Sequence, residues 1–146
     1  MTDLEHAKAY LSSHSTLKCV LCKQDTHYES EKRGVAPMMD FLASGIDLCG
    51  FSAADRVVGR GAAFLFVLAG VTSVHGEVMS RGACEVFGRF GIENSFDRLV
   101  DHIINREGTG MCPIESAVWE ITNPQEAYRA IKARLSALRS AKQTEA

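Results

Sequence analysis

Two side chains with chemical potential, Cys112 and Glu115, stand three residues apart at the end of the stretch NREGTGMCPIE (105–115). Two glycines, a threonine and a proline in so short a run mark a loop. Glycine lets the backbone turn or approach a ligand closely, and Pro113 suits the first position of a helix. If Pro113 opens a helix, the Cys112 thiol sits at its positive end, where a thiolate is favoured. Two readings then compete. In one, Cys112 caps the helix and Glu115 is its box partner. In the other, Cys112 is a nucleophile or ligand contact and Glu115 a proton-transfer group. The loop amides, with Asn105, Arg106, Thr109 and Gly110, would suit an anionic group such as a phosphate. The sequence favours a ligand site over mere packing.

Asp55 is the second candidate, between an apolar stretch expected to be a strand and a run expected to be a buried helix. It can cap that helix and still face a pocket at the carboxyl end of the strand, where ligands of α/β sheets bind. Arg56 and Gly59 would share that site. His75 falls inside an expected strand and reads as a hydrogen-bonded core or rim residue. The other histidines form no recognisable constellation. Cys19 and Cys22 have the spacing of a zinc knuckle, yet three residues apart on a strand they point to opposite faces, so packing is the expected role.

A chain of 146 residues with 46% apolar and 23% charged side chains reads as one ordinary globular domain. A net charge of −2 gives no basic field for nucleic acid. The polar start MTDLEHAKAY has no leader-like apolar run, and Gly61 to Val71 is far short of the ~20 residues a bilayer span requires. A cytoplasmic protein with reduced thiols is expected, without membrane or nucleic-acid partners.

Thr2 and Glu5 spell a capping box for a first helix ending near Ser12. A hairpin follows at 17–22 and 26–32, then a helix from Pro37 to about Gly45. Residues 47–55 read as a buried strand and 56–70 as a helix apolar nearly all round, in which Gly59 and Gly61 imply close packing or a ligand. Strand 71–78, helix 81–91, strand 93–100, a short helix 114–121 and a capped helix from Asn123 complete the chain, with 1–139 as the domain and 140–146 as a flexible tail. This order implies a three-layer α/β/α fold with a mixed sheet.

IINREGTGMCPIE and ADRVVGRGAA (54–63) together resemble an uncharacterised bacterial family, domain of unknown function 1893, over about Leu17 to Ile121. The resemblance implies a cytidine deaminase-like fold. In deaminases of that fold the central helix opens with a zinc-binding His or Cys, then Ala, then a catalytic Glu; here the similar stretch is Ala53-Ala54-Asp55. Their second motif, Pro-Cys-x-x-Cys, is most similar to Ser80-Arg81-Gly82-Ala83-Cys84. Alanine cannot bind zinc, so the resemblance implies no zinc site, no cofactor and no zinc-dependent deamination.

Three functions follow as expectations. The first is binding of a nucleotide or similar small anionic ligand through Arg56, Gly59, Asn105, Arg106, Thr109 and Gly110. The second is metal-independent catalysis with Cys112 as nucleophile and Asp55 or Glu115 moving protons. The third is a non-catalytic interaction module. The apolar central segments also permit a homo-oligomer.

Overall fold

The computed structural model describes residues 1–145, and side chains of residues 1–141. Thr2 and Glu5 form the expected capping box at the start of α1 (Asp3–Ser13). The hairpin is β1 (Cys19–Lys23) and β2 (Thr26–Ser30), turned at Gln24, whose φ is 54°. After α2 (Ala36–Ser44) come β3 (Ser52–Val58), α3 (Arg60–Ala69), β4 (Ser73–Ser80), α4 (Arg81–Phe90) and β5 (Glu93–Val100). The short α5 (Pro113–Ala117) and the long α6 (Pro124–Glu145) complete the order.

The strands form one sheet in the order β2-β1-β3-β4-β5. β1 is antiparallel to β2 and β3, whereas β3, β4 and β5 are parallel. α1 lies on one face, its Ala7 and Leu11 packed with Val20, Cys22 and Ala54. The other face carries the larger core, where Phe64, Leu65, Phe66 and Phe87 are fully buried with Cys19, Leu21 and Ala53. Each such large side chain contributes roughly 1.5–3 kcal/mol by leaving water. Cys19 and Cys22 therefore do point to opposite faces. The expected three-layer α/β architecture with a mixed sheet is the one observed.

Several boundaries differ, among them the short helix expected over 114–121, which ends at Ala117, and the one between β3 and α3 matters for the site. The run 56–70 is not one helix: Arg56, Val57 and Val58 finish β3, Gly59 is extended, and the helix starts at Arg60. β3 is paired on both sides and buried on both faces, so it shows no polar alternation to separate it from a buried helix. Residues 47–51, expected in the strand, instead form a turn, with Cys49 N donating to Asp47 Oδ1 and Gly50 at φ 82°. At the other end α6 continues to Glu145, past the expected start of a tail at 140. Residues 140–145 contain no glycine or proline to stop it. Ala146, the last residue of that expected tail, lies outside the described residues.

Candidate functional site

Parallel strands β3 and β4 end side by side, and each feeds directly into a ten-residue helix. The starts of α3 and α4 thus converge at the carboxyl edge of the sheet, a usual place for ligands in α/β proteins. α4 is capped by Ser80, whose Oγ accepts from Ala83 N at 3.1 Å. α3 has only Gly59 at its cap position, which has no side chain to offer.

The missing cap comes from 55 residues away. Glu115 is 2% exposed, and its Oε1 accepts from Arg60 N at 2.6 Å and from Ser80 Oγ at 3.2 Å. Its Oε2 accepts from Ile103 N at 2.5 Å. One carboxylate therefore joins the first turns of both helices and the strand exit at Ile103. Gly59 is glycine for steric reasons: a Cβ there would stand 2.9 Å from Ile103 Cγ1 and 3.2 Å from Glu115 Oε1. Gly61 likewise leaves room for Ile114, whose Cγ2 would be 2.8 Å from an added Cβ. The space that these glycines provide is filled by the chain itself.

Arg60 returns the contact. Its buried guanidinium donates to Val118 O at 3.0 Å, Ile121 O at 2.6 Å and Gly82 O at 3.3 Å, and lies 3.4 Å from Glu85. The start of α3 thus binds the 115–121 segment by its backbone through Glu115 and by its side chain through Arg60. Beside this lock is a cleft of about 390 Å³ lined by Arg60, Arg81, Gly82, Glu85, Asp101 and Trp119. Arg81 pairs with Asp101 at 2.9 Å, both side chains well exposed, and Trp119 is 45% exposed.

The residues singled out from sequence fall into four separate places. Asn105 and Thr109 bond to each other: Thr109 N donates to Asn105 Oδ1 at 3.0 Å, and Asn105 Nδ2 to Thr109 Oγ1 at 3.1 Å. Asn105 N donates to Gly110 O, Gly108 takes φ 73°, and Ile104 bridges to Met111, so the loop is a self-bonded turn with Arg106 exposed near its tip. Cys112 is the cap residue of five-residue α5, its own N–H donating to Ile103 O. Its expected box partner Glu115 is turned away to α3.

Asp55 corrects a second expectation. It lies within β3, opposite Cys19 and Gly76, rather than at a helix start. Four residues of extended chain separate it from Gly59, roughly 13 Å at ~3.3 Å per residue. It is 3% exposed, its Oδ1 accepts weakly from Val57 N at 3.4 Å, and among the described residues Oδ2 finds no N or O partner, only the buried Cys19 thiol alongside its carboxyl. Burial pushes its pKa up to about 7. Arg56 points to the opposite face, donating to Leu17 O, Leu11 O and His14 O and pairing with Glu77 at 2.6 Å, which ties α1 to the sheet. His75 bridges β4 to β5 through Ser95 Oγ at 2.8 Å and Asp97 at 3.3 Å.

Moving the helix start also corrects the placement made against the deaminases. Gly59, Arg60, Gly61 and Ala62 open the helix after β3, not Ala53, Ala54 and Asp55; the second stretch, Ser80 to Cys84, does open α4. A hydroxyl and backbone N–H donors around Glu115, with the Arg60 guanidinium lining the neighbouring cleft, do not fit a zinc ion. Arg60, Ser80, Arg81, Asp101 and Trp119 were missed by sequence reasoning. A lone arginine between two glycines in an apolar run was the available signal, because a buried cation requires partners.

A family model described as a domain of unknown function (DUF1893) matches residues 7–135. The chain belongs to the DUF1893 family. A crystal structure of a DUF1893 family protein from Thermotoga maritima is similar at a TM-score of 0.79 and 23% identity, covering 94% of this chain and 91% of that one. The apo dCMP deaminase of the cyanophage S-TIM5 is similar at a TM-score of 0.43 and 12% identity, covering 64% of this chain and 92% of that one. No curated protein matches this DUF1893 chain. Among the described residues, no helix is long and apolar enough to cross a membrane.

Proposed function

We propose that this protein binds a nucleotide or similar small anionic ligand, in the cleft of Arg60, Arg81 and Trp119 rather than on the 105–110 loop. The observation that carries this reading is the exposed Trp119 ring beside Arg81 at the carboxyl edge of the parallel strands. An exposed indole offers a planar ligand a stacking surface, and arginine suits a phosphate or carboxylate through two parallel hydrogen bonds. The Arg81–Asp101 pair does not oppose this, since an exposed ion pair is worth about 0–1 kcal/mol. The first turn of α4 adds a favourable field for an anion.

Titration calorimetry with nucleoside mono-, di- and triphosphates tests the reading. Saturable binding of at least one of them is expected, weakened tenfold or more by Arg81→Ala and by Trp119→Ala at unchanged folding stability. If no nucleotide binds at millimolar concentration, or if the variants bind equally well, the proposal is wrong.

A further inference from the structure

The cleft beside Trp119 is balanced in formal charge. Two arginines, Arg60 and Arg81, line it together with two carboxylates, Glu85 and Asp101. What it can hold therefore depends on which of these charges still has bonding capacity free.

Arg60 has little to offer a ligand. Its side chain is 5% exposed, and backbone oxygens engage all three guanidinium nitrogens: Nε donates to Val118 O at 3.0 Å, Nη1 to Gly82 O at 3.3 Å and Nη2 to Ile121 O at 2.6 Å. Nη1 also lies 3.4 Å from Glu85 Oε1, so the charge is countered as well. Arg81 differs. Its side chain is 68% exposed and meets Asp101 through Nε at 2.9 Å, which leaves Nη1 and Nη2 outside that contact. Those two nitrogens are the fork that grips one phosphate or carboxylate group. The cleft thus presents one open cation.

The carboxylates impose the complementary demand. A carboxylate accepts hydrogen bonds and donates none, so ligand groups lying against Glu85 or Asp101 must be neutral donors, such as sugar hydroxyls or a ring amine. A second or third phosphate finds no second open arginine and meets these acids instead. Repulsion built against a competitor is one of the two ways in which a site becomes specific.

Taking this cleft as the nucleotide site, we propose that it selects nucleoside monophosphates against di- and triphosphates. Arg81 holds the single phosphate, the Trp119 ring carries the base, and Glu85 and Asp101 exclude the longer phosphate chains. Asp101 serves twice: by accepting from Nε it steadies the Arg81 fork, and by its charge it penalises each added phosphate.

The full chain, in magnesium-free buffer of low ionic strength, is titrated calorimetrically with the common ribonucleosides, their 5′-monophosphates and their 5′-triphosphates. At least one base should bind as its monophosphate tenfold or more tighter than as its triphosphate, and tenfold or more tighter than as the free nucleoside. Glu85 and Asp101 are 59% and 83% exposed, so Glu85→Gln and Asp101→Asn should fold normally. Each should narrow the preference for monophosphate over triphosphate at least threefold, Asp101→Asn the more because it adjoins Arg81. A triphosphate that binds as tightly as the monophosphate for every base overturns the selection while leaving the cleft a nucleotide site. So does a preference unchanged in both variants. Absence of binding by every nucleotide removes the cleft as the site, and the selection with it.

Discussion

Asp55 and Glu115 are both buried carboxylates, one within β3 and the other, from α5, at the start of α3, yet their surroundings are opposite. Glu115 receives three hydrogen bonds from three separate segments, while among the described residues Asp55 has one oxygen with no N or O partner and only the buried Cys19 thiol beside its carboxyl. A buried acid that is fully bonded holds structure together, whereas one that is not is best left protonated. The two residues first offered as proton-transfer groups thus do different work, and neither is aimed at Cys112.

The sharpest way to break this contrast is to truncate Glu115. Glu115→Ala leaves Arg60 N, Ile103 N and Ser80 Oγ facing an empty site and should cost about 3–5 kcal/mol in urea denaturation, in the range found when a buried polar network loses a partner. A loss under 1 kcal/mol would mean that Glu115 does not hold the two helices.

Asp55 predicts a pH dependence of the other kind. Its folded pKa, about 7, lies above the ordinary 3.8, so the folded chain holds its proton more tightly than the unfolded one. Stability present below about pH 4 is therefore lost as pH climbs through about 7, by at most about 4 kcal/mol at 1.36 kcal/mol per unit. Asp55→Asn should flatten that slope and be relatively more stable at pH 8 than at pH 5. Equal slopes in the two proteins would contradict the raised value.

Smaller effects sharpen the comparison. Gly59→Ala pushes a methyl toward Ile103 and the Glu115 carboxylate and should cost about 1–3 kcal/mol by overpacking. Arg106→Ala, exposed near the tip of a loop that bonds to itself, should change stability by less than about 0.5 kcal/mol.

The sequence revealed the elements that carry local punctuation. Thr2 with Glu5, Pro37 with Gly45, Gly91, and Asn123 with Pro124 mark ends by caps and turns, and those ends lie where expected. The β3–α3 junction was not legible, because pairing with β1 and β4 decides where the strand stops and no local residue announces it. The site suffered the same way. The glycines of 59–61 and the loop ending at Glu115 were each noticed as unusual, but their meaning is mutual: Gly59 is small because Glu115 arrives there. Nothing in the spacing of 55 residues shows that meeting, nor does it place Trp119 beside Arg81.

Trp119 is the only tryptophan of the chain and it lines the proposed cleft, so its fluorescence reads that cleft directly. The most direct test is a fluorescence titration of the full chain with nucleoside phosphates, repeated on Arg81→Ala. A saturable change in Trp119 emission is expected, which Arg81→Ala shifts to at least tenfold higher concentration. A flat emission with every nucleotide up to millimolar concentration, or a titration indifferent to Arg81, would contradict it.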